Sequence, residues 1–193
     1  MILTITGAPC SGKSTVARML ELKYGFDRMS TGKIVRDMAK ERGIDIVEMQ
    51  EVLNADPTID QKIEERQKQI GIERADDKLI MEARLAWYAV PHSFKVYVTI
   101  PEDEMAKRFL ADGERAGDND KVVSTIEEAS EILAYRKNQE IERYKKIYGI
   151  DLSDMDNFDY VAENYNKTPE QTADEIYEAY KKYAKKNKQK GIK

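Results

Sequence analysis

The chain has 193 residues, 41% hydrophobic and 35% charged, with a formal net charge of −4 and a single cysteine and histidine. This balance fits one globular domain with a full core and a heavily charged surface. It excludes a global basic field for gripping nucleic acid, an internal disulfide framework and a Cys/His metal site.

No apolar run approaches the ~20 residues that span a bilayer, and the N-terminus enters a strand directly. A cytoplasmic protein is expected: no membrane contact, no signal segment and a reducing compartment. The first strand is expected at 2–6. Behind it, Gly7-Ala8-Pro9-Cys10-Ser11-Gly12-Lys13-Ser14-Thr15 fits the phosphate-loop pattern G-x-x-x-x-G-K-[ST] at every fixed position. A helix over about 12–24, stopped near Gly25, completes the strand–loop–helix context. Gly7 and Gly12 let the backbone curl so that its N–H groups converge, and the helix N-terminus adds partial positive charge. Lys13 is placed to reach the β/γ-phosphates of ATP, and the Ser14 hydroxyl to ligate Mg²⁺. Cys10, in this loop at a helix start, reads either as a thiol of lowered pKa or as a small residue at a variable position.

An extended piece at 26–29 leads to Ser30 and Thr31, either of which can cap a helix running to about Arg42. Asp45 opens a short helix carrying Ile46, Met49, Val52 and Leu53 at helical spacing. Asp56-Pro57 breaks it, and a charged helix follows at about 59–70. Strands are expected at 78–82 and 94–100. Pro101 starts a helix to about Leu110, and Asp112 to Lys121 reads as a loop. Ser124 with Glu127 forms a capping-box pattern for a long helix ending near Gly149. The last strand is expected at 158–162, and the last helix starts at Pro169 with Thr168 as cap. Strands alternating with helices predict an α/β fold with a parallel sheet of five strands and helices on both faces. Seven lysines follow Tyr180. Lacking interleaved aromatics, they read as a solvated helix end rather than an RNA platform.

A GTPase is excluded. The chain has no D-x-x-G switch, and Asn166-Lys167-Thr168-Pro169 lacks the final Asp of a base reader. A small kinase needs further cations, because two anionic substrates meet and charge spreads over the transferred phosphoryl oxygens. Arginine suits that task through its planar, permanently charged fork. Arg36, Arg84, Arg108, Arg136 and Arg143 are the candidates, the last two sharing a helix face. Glu82, closing a strand, is a candidate to orient the Mg²⁺ shell.

At these residues the chain resembles the nucleoside monophosphate kinases, and among them the short archaeal-type cytidylate kinases. Met29 to Arg36 resembles the acceptor segment after the second strand. Asp56-Pro57-Thr58-Ile59-Asp60, then Arg66-Gln67, resembles the D-P-x-I-D…R-Q segment of the acceptor-binding insert. Ile80 to Ala86 resembles V-I-E-G-R-L-A, and Arg136 to Asp151 resembles R-E-x-x-E-x-x-R-Y…Y-G-I-D. Phe158 to Val161 with Pro169-Glu170 resembles the family's last strand and helix start. The likeness runs through nearly the whole chain in order. Ala83 stands where the family usually has glycine. The usual pair of lid arginines four apart is absent: Arg108 is followed by Asp112, and Arg115 comes only after seven, so the second lid cation is open.

The resemblance implies transfer of the ATP γ-phosphoryl group to CMP or dCMP with Mg²⁺, by one domain over 1–193. It implies an acceptor-binding insert at about 31–73 and a lid at about 110–137. Residues 7–15 would cradle the donor, Ser14 and Glu82 would serve the metal, and Arg36 and Arg84 would grip the acceptor phosphate. Thr31, Asp60 and Arg66 are further acceptor-site candidates. Arg108, Arg136 and Arg143 would close with the lid. The chain is expected to act as a monomer, without nucleic acid. Two alternatives stay open: a kinase for another acceptor (AMP, UMP or another small metabolite), and a non-catalytic ATP-binding or RNA-docking module.

Overall fold

The computed structural model describes residues 1–111 and 123–189. Parallel strands need long crossovers, and the helical stretches between the strand patterns supply them. The sheet runs β2 (Asp27–Ser30), β3 (Leu79–Glu82), β1 (Leu3–Gly7), β4 (Phe94–Thr99), β5 (Tyr160–Glu163), and every neighbouring pair is parallel. The expected five-stranded parallel α/β fold is therefore present. β1 and β3 are buried at every residue because helices cover both faces.

On one face, α1 (Lys13–Tyr24) and the last helix α8 (Pro169–Gln189) pack Val16, Ala17, Leu20, Ala173 and Ile176 against Leu3, Ile5 and Val96. Tyr24 stacks on Tyr177 at 3.7 Å between ring centroids and ties the two helices together. On the other face, α5 (Ala86–Ala89) packs against Ile2, Leu79 and Met81. Between β2 and β3 lie α2 (Thr31–Arg42), α3 (Ile46–Ala55) and α4 (Pro57–Glu73), with their own small core around Ala39, Met49 and Leu53. After β4 come α6 (Glu102–Ala111) and the 23-residue α7 (Ile126–Tyr148), which enclose Ala106, Phe109, Ala129 and Leu133.

The departures from expectation lie at element ends and in one short helix. Asp56-Pro57 both ends α3 and starts α4: Asp56 Oδ1 accepts from Thr58 N at 3.1 Å, and Pro57 sits where a missing N–H costs nothing. The charged helix consequently runs to Glu73 rather than 70. The capping box of α7 belongs to Thr125 and Glu128, one residue later than expected. Ser124 contributes its backbone N–H to the same Glu128 carboxylate at 2.9 Å. Neither hydroxyl expected to cap α2 does so: Ser30 makes no side-chain cap, and Thr31 Oγ1 donates to Glu82 O at 3.3 Å. The four-residue α5 was not expected; its sequence, Ala-Trp-Tyr-Ala, is too short to show helical periodicity. No described helix is long and apolar enough to cross a membrane. The loop expected at 112–121, Arg115 within it, Lys190 and Lys193 lie outside the described residues.

Candidate active site

In an open parallel sheet, ligand crevices form at the carboxyl ends of the strands, and here the phosphate loop leaves the end of β1. Gly7 has φ +153° and Gly12 φ +82°. A Cβ on Gly7 would lie 2.2 Å from the Val98 carbonyl oxygen, and one on Gly12 2.2 Å from Asn164 Nδ2. Only glycine fits either place. Gly12 gives α1 no side-chain cap, and its first turn carries no acidic residue. The first N–H groups of α1 are thus left for an incoming anion.

The loop is braced from behind by a residue that its pattern does not reveal. Asn164, just past β5 and buried, donates to Ser11 O at 2.8 Å and accepts from Thr172 Oγ1 at 2.9 Å. Arg108 donates to Asn164 O at 3.1 Å and pairs with Glu104 at 3.0 Å. Cys10 is buried with φ +58° and packs with Ala106, Phe109 and Leu133, the small-residue alternative among its two readings.

One cavity of about 810 Å³ opens between the phosphate loop, the α2–α4 insert and α7. Lys13, Ser14, Thr31, Arg36, Asp60, Glu82, Arg84, Arg136 and Arg143 all line it. These nine were singled out at five separate stretches of sequence, and the fold brings them to one cleft. Ser14 Oγ donates to Glu82 Oε1, joining the loop hydroxyl to the end of β3, and the Arg28 guanidinium lies 3.5 Å from the other Glu82 oxygen. Among the described residues no cluster of three or more His, Cys, Asp or Glu side chains forms a cation cage. A hydroxyl and one nearby carboxylate still suit Mg²⁺, which keeps several waters and takes its remaining ligands from substrate phosphates.

Two candidates stand apart from this cleft. Arg66 points to solvent, 65% exposed, with Glu73 3.9 Å away, so its proposed place beside the acceptor is corrected. It sits on the outer side of α4, whereas Asp60, Glu64 and Gln67 form the buried stripe of that helix. Arg108 lines a smaller adjoining cavity of about 200 Å³ with Gly12, Thr15, Asn164 and Pro169, which shares Cys10, Lys13 and Ser14 with the main cleft.

The arginines of the cleft are held by partners that spacing alone could not name. Arg84 Nε lies 2.7 Å from Glu140 Oε2, and its Nη1 donates to Gly7 O at the start of the loop. Thr6 and Trp87 both donate to the Arg84 carbonyl, at 3.2 and 3.0 Å. Ala83, in place of the family's usual glycine, is buried at 5% exposure in a cluster with Met81, Ala86 and Val90. Arg143 is buried at 6% exposure. Its Nε lies 2.8 Å from Asp60 Oδ2 as an ion pair, and its Nη1 donates to Gln50 and Asn54, each at 3.1 Å. It thereby ties α7 to α3 and α4. Arg143→Ala is expected to destabilise the protein by about 3–5 kcal/mol, because Asp60 would be left buried without its partner; urea unfolding measures this, and a change under 1 kcal/mol would refute the tie.

Glu64 is the second buried acid of the insert, 4% exposed. Burial first, and then the neighbouring Asp60 carboxylate, push its acid up to about 8. The folded chain then holds a proton that the unfolded chain has released, so this group's stabilisation is complete below its ordinary 4.5 and is lost as pH rises to about 8. Wild-type unfolding free energy is expected to fall more steeply across that window than that of Glu64→Gln; parallel curves would contradict the protonated state.

A loop of backbone amides with its lysine, on a sheet of order β2-β3-β1-β4-β5 and facing a cation-lined second compartment, defines a phosphate-loop nucleotide-binding protein of the small-kinase type. A family model described as an AAA domain matches residues 3–145. The chain is 36% identical over 165 residues to the cytidylate kinase of Methanococcoides burtonii, covering 85% of this chain and 87% of that one. It is 34% identical over 177 residues to that of Methanosarcina acetivorans, covering 90% and 93%. The chain belongs to the cytidylate kinase family. Among solved structures, the shikimate kinase of Bacteroides thetaiotaomicron superposes with a TM-score of 0.56 at 10% identity, covering 94% of this chain and 98% of that one, which is a likeness of fold.

Proposed function

We propose that the protein transfers the γ-phosphoryl group of ATP to CMP or dCMP. The observation that carries this reading is the single cleft in which the phosphate-loop lysine and hydroxyl face Arg36, Arg84 and Arg136. A protein that only binds ATP has no use for cations on the far side. The backbone of 7–15 would cradle the donor phosphates, with Lys13 neutralising charge that develops on the β/γ bridge. The Arg108 cavity beside the loop suits the donor nucleoside. Ser14, with Glu82 behind it, would hold Mg²⁺, which would offset the negative charge of the donor phosphates. Arg36 and Arg84 would fix the acceptor phosphate in line. No general base is required, because an acceptor phosphate oxygen is already a nucleophile.

The insert over 31–73 would hold the acceptor, and 110–137, with the cleft-lining Arg136, would act as the lid that shuts water out. Arg143 has a different part in this reading: its ion pair anchors the insert to α7. An acceptor panel with γ-labelled ATP and Mg²⁺ tests the function. Label is expected in CDP and dCDP, well above that from AMP. Transfer to AMP or a non-nucleotide acceptor instead would move the chain to another acceptor class. No transfer to any acceptor, together with RNA retention that survives moderate salt, would favour a binding module.

A further inference from the structure

The acceptor cleft ends, away from the phosphate loop, in a buried polar corner on α4 and α7. Asp60 and Glu64 lie four residues apart on one face of α4, and both line the cavity. Asp60 is already committed to Arg143. Among the described residues Glu64 makes no ion pair, and Lys68 is the cation that acts on it. Glu64 Oε2 accepts from Gln67 Nε2 at 3.1 Å, and among the described residues Oε1 receives no hydrogen bond. Two buried polar atoms nearby, Gln67 Oε1 and Tyr148 Oη, have no hydrogen-bond partner among the described residues. Buried polar groups are nearly always satisfied, so this corner is complete only with a ligand or water.

The corner lies at the right depth. Along α7, Glu140 meets Arg84 at the phosphate end, Arg143 meets Asp60 a turn later, and Tyr148 comes within electrostatic reach of Glu64 a further turn on. Eight residues of helix from Glu140 to Tyr148 rise about 12 Å. That separation leaves room for the sugar and base of a nucleotide whose phosphate lies at the Arg84 end.

We infer that Glu64 reads the acceptor base, accepting a hydrogen bond from the exocyclic amine of cytosine, and so sets cytosine over uracil. This rests on the proposed function. Cytosine presents an amine where uracil presents a carbonyl. An ionised carboxylate can only accept, so it pairs with the amine and repels the uracil oxygen. A neutral acid both donates and accepts, and therefore fits either edge. Burial and Asp60 favour the neutral acid in the empty cleft. The groups around it are Asp60, Gln67 and Lys68 on α4, Gln50 and Glu51 on α3, Tyr88 on α5, and Arg143, Tyr144 and Tyr148 on α7.

The test is the ratio of kcat/KM for CMP to that for UMP, measured with both acceptors competing in one mixture. That ratio cancels donor binding, lid closure and protein stability, which both acceptors share. For the wild type it is expected to rise at least about fivefold from pH 6.5 to 8.5, below the range where uracil loses its N3 proton. Glu64→Gln carries a permanent donor and acceptor. It is expected to lower the ratio about tenfold at pH 8 and to abolish its pH dependence. A wild-type ratio independent of pH, or a Glu64→Gln ratio within twofold of wild type, would overturn the assignment while leaving CMP phosphorylation intact. Failure of the wild type to phosphorylate either acceptor would overturn both this and the proposed function.

Discussion

Lys13→Met is expected to lower kcat by about 10³-fold or more while leaving the fold intact. The side chain is half-buried on the first residue of α1 and reaches into the cleft that also holds Arg84 and Arg136. Its charge would act where charge accumulates as the β/γ bond breaks, so its loss falls on the chemical step rather than on ground-state binding. Methionine keeps the length and apolar stem and removes only the cation. Single-turnover transfer measures the loss, and the thermal midpoint checks the fold. A variant that folds and turns over within tenfold of wild type would remove Lys13 from the reaction.

Arg84→Ala is expected to cost about 10²–10⁴ in kcat/KM for the acceptor. The structure sharpens what else it should do. Arg84 is paired with Glu140 on α7 and also holds Gly7 O, so one guanidinium ties α7 to the mouth of the phosphate loop. Deleting it leaves Glu140 buried at 8% exposure without its cation and releases the loop. A moderate weakening of ATP binding is therefore expected beside the larger acceptor effect. Glu140→Gln separates the two roles: it frees Arg84 without leaving a buried charge, and is expected to retain most ATP affinity. If Arg84→Ala weakened ATP binding but left acceptor kinetics unchanged, Arg84 would be a loop brace and not an acceptor clamp.

The parts legible in the sequence are those set by local chemistry. The phosphate loop is a contiguous pattern between a strand and a helix, and its glycines mark backbone positions where a Cβ collides. The parallel sheet follows from alternating strand and helix stretches. The missed features depend on contacts between distant segments. Asn164 braces the loop from 153 residues away, and Gln50 and Asn54 hold Arg143 from 93 and 89 residues away. Nothing local marks any of them as functional. Arg66 fails for the opposite reason: it sits in a recognisable motif, but the helical stripe of Asp60, Glu64 and Gln67 takes the buried side and leaves it outside. That stripe was available in the spacing 60, 64, 67 and would have pointed to Glu64.

The central claim is that one cleft holds two phosphorylated nucleosides end to end. Calorimetric titration with adenosine and cytidine joined through a five-phosphate bridge tests it directly. One molecule is expected to bind per chain, about 10²-fold tighter than ATP alone, with the gain lost in Arg84→Ala. Affinity no greater than that of ATP, or two molecules bound per chain, would contradict it.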